Sequence, residues 1–234
     1  MREKVVGIIG GMGPEATVDF MNRVIKATPA MDDCDHIRML VDNNPKVPSR
    51  IAAILEGTGE SPVPCLQAMA RRLASWGADF LAMPCNTAHY YHPDIQKAVA
   101  IPLLDMIDLA VQAILHRNPG IARIGLLASA AVIRLQLYER RFAGDNVDML
   151  KPADTLQARM MEAIKKIKTS RYGREVVAAM QAGADDLTGR GAEAILVACT
   201  EISIVGGEIR TSVDLYDSAQ ILAEAVVKEA RQAD

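Results

Sequence analysis

Three short segments of this 234-residue chain occur twice, in the same order. Gly7-Ile8-Ile9-Gly10 resembles Gly125-Leu126-Leu127-Ala128, 118 positions later. Gly77-Ala78-Asp79, the apolar run Phe80 to Met83 and Pro84-Cys85 resemble Gly191-Ala192-Glu193, the run Ala194 to Val197 and Ala198-Cys199, at an offset of 114. Leu104-Asp105-Met106-Ile107-Asp108-Leu109-Ala110 resembles Val213-Asp214-Leu215-Tyr216-Asp217-Ser218-Ala219, at an offset of 109. Short apolar runs after glycine are common, so one pair means little. Three ordered pairs at a slowly shrinking offset describe two similar halves, the second with shorter connections.

Each half alternates short apolar runs, bounded by Gly, Pro or Asn, with stretches of helical period, the pattern of parallel strands joined by helices. Strands are expected at Val5 to Gly10, Ile37 to Asp42, Phe80 to Pro84, Ile124 to Leu127 and Ala194 to Ala198. Their lack of polar alternation predicts burial on both faces. Leu66, Met69, Ala70, Leu73 and Ala74 share one face of a helix that Gly77 stops. Phe20, Met21, Val24 and Ile25 share another, in a helix opened by Pro14, whose missing N–H costs nothing at the first helical position. The fold expected is α/β: two pseudo-symmetric domains, each a short parallel sheet flanked by helices, with a site in the cleft between them. Because the third repeat lies beyond each cysteine, the strand near Val213 is assigned to the first domain. That gives residues 1–103 plus 209–234 as one domain and 104–208 as the other.

The composition narrows the function. Half the residues are apolar, and 29 acidic residues against 26 basic ones leave a net charge of −3. No general attraction to nucleic acid or to an anionic membrane follows. No stretch reaches the ~18 apolar residues of a membrane span, and the run Val5 to Ile9 is too short for a signal peptide. A cytoplasmic protein is expected. The four cysteines, Cys34, Cys65, Cys85 and Cys199, fit neither a disulfide framework nor zinc-ligand spacing. Cys34 and Cys65 read as inert buried residues.

Cys85 and Cys199 are different, because each ends an equivalent strand. Ligands of parallel α/β sheets bind at that carboxyl edge. If the halves face each other about a pseudo-twofold axis, both sulphurs reach one cleft from opposite sides. Inverting a stereocentre needs a base on one face of the α-carbon and an acid on the other, and two equivalent thiols can exchange those roles. A helix N-terminus lowers a thiol pKa from ~8.5 to around 7 or below. The residues that follow, Asn86-Thr87 and Thr200-Glu201, offer donors for a carboxylate or for the enolate-like charge of deprotonation.

Four segments carry a family resemblance: Gly10-Gly11-Met12-Gly13-Pro14-Glu15-Ala16-Thr17, Asn43-Asn44-Pro45, Met83-Pro84-Cys85-Asn86-Thr87-Ala88-His89 and Ala198-Cys199-Thr200-Glu201. Together they resemble the aspartate/glutamate racemase family over nearly the whole chain, and most of all its aspartate racemase branch. The resemblance implies racemisation of a small acidic amino acid, L- and D-aspartate or glutamate, without pyridoxal phosphate, other cofactor or metal, by a homodimer. It makes Cys85 and Cys199 the two bases. Asn86, Thr87 and Thr200 match positions that hold the α-carboxylate, Met12 lies in the glycine loop lining the cleft, and Arg50 matches a position for the side-chain carboxylate. Arg50 also suits that task chemically, since its planar fork of donors pairs with carboxylates. Lys168 matches a second basic position, in a register uncertain by one or two residues. His89 and Glu201 are read as supporting the cysteines, Glu201 as a cap or tuning charge that raises the thiol pKa unless it points away. One segment departs from the family pattern: Ala128-Ser129-Ala130-Ala131-Val132 stands where many relatives have a threonine–glycine–threonine-like turn.

Three other readings compete. Gly11-Met12-Gly13-Pro14-Glu15-Ala16 satisfies the GxGxxA fingerprint of a nicotinamide-dependent oxidoreductase, with Asp42 ending the next strand. That reading leaves the paired cysteines without a task. A non-catalytic receptor for an acidic amino acid would use the same cleft. Related two-cysteine enzymes, the hydantoin racemase and maleate isomerase types, stay within the enzyme class but act on other substrates, and Arg50 favours aspartate over these.

Overall fold

A computed structural model describes residues 3–232 of the chain. The elements run β1 (Val6–Gly10), α1 (Pro14–Ala27), β2 (Met39–Asn43), α2 (Val63–Ser75), β3 (Phe80–Ala82), α3 (His92–Gln96), α4 (Met106–Arg117), β4 (Arg123–Ala128) and α5 (Ala130–Leu135). They continue with β5 (Asp148–Leu150), α6 (Asp154–Lys168), α7 (Arg174–Gly189), β6 (Ala194–Ala198), α8 (Thr200–Gly206), β7 (Asp214–Asp217) and α9 (Ser218–Arg231). The chain divides into two compact units, Met1–Met106 with Gln220–Asp234, and Ile107–Ala219.

In the first unit β1 is central, in the order β2-β1-β3, all parallel, and a parallel bridge from Leu81 to Leu103 extends the sheet past β3. In the second unit β4 is central in the parallel order β5-β4-β6-β7. The orders correspond strand for strand, with the Leu103 bridge in the place of β7. Leu103 faces Leu81 as Leu215 faces Ile195, so the third repeat aligns at 112 residues rather than 109 and matches Asp105 with Asp217. The strand near Val213, which the sequence reading sends to the first domain, pairs instead with β6, through Ala194↔Asp214 to Val197↔Asp217. The chain re-enters the first unit only afterwards, within α9. Strand β5 escapes the sequence reading because three residues at a sheet edge carry no periodicity.

The same packing device occurs in both units. A methyl group placed on Gly7 of β1 would lie 2.6 Å from Leu81 and 3.1 Å from Leu73 of α2, and one on Gly125 of β4 would lie 2.6 Å from Ile195 and 2.9 Å from Leu187 of α7. Each glycine thus lets a helix close onto the central strand. Gly77 and Gly191 end those helices at φ of 97° and 87°, the left-handed region that favours glycine. The carboxylates of Asp79 and Glu193 then accept the Val5 and Ala122 amides, tying each cysteine strand to the start of its central strand.

Strands β1, β3 and β6 are wholly buried, as their apolar runs predict, whereas β2 is half-exposed at its edge. Helix α1 starts at Pro14 and buries Ala16, Thr17, Phe20 and Val24, while Ile25, expected on the inner face, is exposed. Two more residues depart from expectation. Cys34 is exposed in an acidic turn, Asp33–Asp35, and Cys65 is half-buried, accepting from the Asn44 amide at 3.5 Å.

Candidate active site

Two cysteine turns stand at the carboxyl ends of equivalent strands. Cys85 follows β3 by two residues and enters the helical turn Thr87–Tyr91; Cys199 follows β6 directly and is the N-cap of α8. Both are buried, each in the core cluster of its own unit. Asn86 and Thr200, the residues after each thiol, are buried as well, and Thr87 is half-buried.

Around Cys199 the polar groups form a chain. Its Sγ donates to Glu201 Oε2 at 3.2 Å, and Glu201 Oε1 lies 3.5 Å from Lys168 Nζ at the end of α6. Burial pushes the Cys199 thiol well above its ordinary pKa, the Glu201 carboxylate raises it further, and Lys168 opposes. Where the sequence reading has a helix N-terminus lowering the thiol, desolvation is the largest influence on Cys199 and acts upward, and Glu201 points at the sulphur rather than away. Lys165 and Lys166 pair with Glu162 and Glu175 on the exposed face, and Lys168 alone of the three turns to Glu201.

Around Cys85 the partner is a histidine. His89 is buried, with Nδ1 2.9 Å from the Cys85 carbonyl and Nε2 3.0 Å from the Met106 amide. Burial holds its pKa below the ordinary histidine value, against the pull of the Cys85 carbonyl. The ring of His92 stacks on it at 5.9 Å, with His92 Nε2 bonded to the Leu103 carbonyl.

Arg50 follows the loop that β2 opens. Its Nη1 donates to the Val47 and Pro48 carbonyls at 3.3 and 3.1 Å, while its buried Nε has no hydrogen-bond partner among the described residues. A buried guanidinium donor left unmatched is costly unless a ligand completes it. Met12 is buried in the cluster that also holds Cys85. Its glycine loop is shaped by neighbouring backbone: a Cβ on Gly11, at φ 91°, would come within 2.2 Å of the Asn44 carbonyl carbon. Thr17 steadies the loop by accepting from the Gly11 amide at 2.8 Å and donating to the Gly13 carbonyl. Asp42, the acid the dinucleotide reading needs, is ion-paired with Arg72 at 2.6 Å. Among the described residues no cluster of three His, Cys, Asp or Glu side chains forms a metal site. The divergent Ser129 caps α5, accepting from the Val132 amide.

Ser203 is absent from the sequence reading, and Asp217 enters it only as part of the third repeat, with no role at the site. Ser203 lies four residues after Cys199, as His89 does after Cys85, and its hydroxyl donates to Asp217 Oδ1 at 2.7 Å while lying 3.3 Å from the Cys199 carbonyl. The repeat itself carries the signal, since Ser203 stands 114 positions after His89.

Compared with known proteins, residues 9–226 match the Asp/Glu/Hydantoin racemase family. The chain belongs to this family. As a member it is an isomerase of the amino-acid racemase class, whose substrates are small amino acids. It is 27% identical to the broad specificity amino-acid racemase RacX of Bacillus subtilis, over 95% of this chain and 96% of that one. The structure resembles the aspartate racemase of Picrophilus torridus with a TM-score of 0.82 and 31% identity, over 97% of this chain and 94% of that one. Glutamate racemase RacE1 of Bacillus anthracis, 17% identical with a TM-score of 0.64 over 97% of this chain and 82% of that one, shares the fold. No described helix is long and apolar enough to cross a membrane.

Proposed function

We propose that this racemase interconverts L- and D-aspartate, or the enantiomers of glutamate, by a cofactor-independent 1,1-proton transfer between Cys85 and Cys199. One observation carries the reading: a buried cysteine at the carboxyl end of the same strand in each half, followed by Asn86-Thr87 in one and Thr200-Glu201 in the other. The mechanism asks that both sulphurs address one α-carbon from opposite faces. One thiolate removes the α-proton, leaving an enolate-like carboxylate, and the opposite thiol delivers its own proton to the other face. With its hydrogen bond to Glu201, Cys199 has the form of the donor, which leaves Cys85 as the base for that direction. In the return direction the roles exchange. Asn86, Thr87 and Thr200 hold the α-carboxylate, Met12 lines the glycine-loop side, and the unmatched Arg50 Nε takes the second carboxylate, with Lys168 adding positive charge. The likeness to the Picrophilus enzyme supports aspartate as substrate. The family resemblance supports a homodimer, which analytical ultracentrifugation tests.

The test of the reaction is incubation of the cofactor-free protein with single enantiomers of several amino acids in heavy water. Racemic aspartate with deuterium at the α-carbon is expected, with slower conversion of neutral amino acids. Binding without α-deuteration would make the protein a receptor instead, and exchange without inversion would leave it a single working base.

A further inference from the structure

The carbonyl of each cysteine is contacted by the side chain four residues later, and that side chain is in turn linked to the start of the next long helix of its own half. On the Cys85 side a single ring does both jobs, His89 Nδ1 meeting the Cys85 carbonyl and Nε2 the amide of Met106, the first residue of α4. On the Cys199 side two groups do so. The Ser203 hydroxyl donates its one proton to Asp217 Oδ1 at 2.7 Å with the Cys199 carbonyl as a weaker second acceptor at 3.3 Å, the Ser203 amide also meets that carbonyl at 3.0 Å, and Asp217 Oδ1 accepts from Ala219 in the first turn of α9 at 2.9 Å. The corrected repeat register matches Met106 with Ser218, each the first residue of its helix.

The hydrogen bonds also fix the histidine's tautomer. A backbone amide can only donate, so His89 Nε2 must present a lone pair to Met106, and the ring proton must sit on Nδ1, donated to the Cys85 carbonyl. Both nitrogens are occupied by main chain. A ring so placed has no free site from which to take or give the substrate's proton. It faces Asp105 and the stacked His92 as its ionisable neighbours, and burial disfavours its charged form.

We infer that His89 for Cys85, and Ser203 with Asp217 for Cys199, are matched positioning residues that hold each thiol's backbone in reacting geometry, His89 acting throughout as a neutral Nδ1–H ring. The inference rests on the two-cysteine reading. Proton transfer needs the sulphur within ~3–3.5 Å of the α-carbon, and a displacement near 1 Å costs on the order of 10²-fold in rate. His89→Gln and Ser203→Ala should therefore reduce kcat by about 10- to 100-fold with a much smaller change in KM.

Isotope effects distinguish positioning from general destabilisation. In His89→Gln, steps at Cys85 become limiting. The α-deuterium effect on kcat/KM should rise for the enantiomer that Cys85 deprotonates and fall for its mirror image, whose deprotonation by Cys199 has become a rapid pre-equilibrium. Ser203→Ala should give the opposite pattern. Independently of turnover, nitrogen-15 NMR of the wild-type protein, with His89 assigned through the variant, should show a protonated Nδ1 and a bare Nε2 that do not titrate across neutral pH. A titrating His89, or isotope effects that move together in the two variants, overturns the inference. Full turnover in Cys85→Ala and Cys199→Ala would instead defeat the two-cysteine reading from which it starts.

Discussion

Cys199 Sγ donates to Glu201 Oε2 at 3.2 Å, so the thiol proton is shared with a carboxylate that is itself held 3.5 Å from Lys168. Burial and Glu201 push the thiol pKa up, and Lys168 pulls it down. The two neighbours should therefore act in opposite directions when removed. Glu201→Gln should let Cys199 ionise at lower pH than in the wild type, and Lys168→Met should require higher pH. Peptide-resolved alkylation by iodoacetamide across a pH series reads both, because only the thiolate reacts. The same direction of change in both variants would mean that the three groups are not coupled as found.

Arg50 spends Nη1 on its own loop and leaves Nε buried without a partner among the described residues. If a substrate carboxylate completes it, the loss is selective. Arg50→Ala should lower kcat/KM for aspartate by about 10- to 100-fold, the worth of a charge-assisted hydrogen bond of about 1.5–3 kcal/mol. Alanine racemisation should change little. Equal losses for both substrates would move the side-chain anchor elsewhere.

Gly7 and Gly125 are the points where α2 and α7 press on their central strands, with Leu81 and Ile195 each 2.6 Å from an added methyl group. Gly7→Ala and Gly125→Ala should each destabilise the protein by about 1–3 kcal/mol, the usual penalty for overfilling a packed core. Denaturant melts of the two variants should show comparable losses. A neutral Gly125→Ala beside a costly Gly7→Ala would argue that the halves pack differently despite their common strand order.

How much of this was legible in the sequence follows from where the repeat is strong. The glycine, acid and apolar run before each cysteine are close neighbours in sequence and in space, so Gly77 to Cys85 and Gly191 to Cys199 mark both the strands and the thiols. The third repeat is weaker, because aspartate occurs twice in each copy. Pairing Asp108 with Asp217 shifts the alignment by one helical turn, hiding the equivalence of Asp105 and Asp217 that strand register reveals. Ser203 was hidden for another reason: a hydroxyl and an imidazole look unrelated until both are seen bonding a cysteine carbonyl. The direction of Glu201 is a rotamer choice that spacing cannot fix.

The two-cysteine mechanism makes a metric demand that a crystal structure with bound aspartate can test. Reaction at both faces of one tetrahedral carbon, with each sulphur ~3–3.5 Å from it, requires the sulphurs to lie roughly 7 Å apart with the α-carbon between them. Burial of Cys85 and Cys199 suits that demand, because excluding bulk water leaves each thiol, rather than solvent, to protonate its own face of the α-carbon. Replacing either residue by alanine removes one of the two proton sites, so racemisation should fall by at least about 10³-fold. The variant that keeps the base for a given enantiomer should still exchange that enantiomer's α-proton with solvent while failing to invert it. Chiral chromatography with mass spectrometry in heavy water separates exchange from inversion. Sulphurs more than about 10 Å apart in the ligand-bound state, or inversion retained in both alanine variants, would rule the mechanism out.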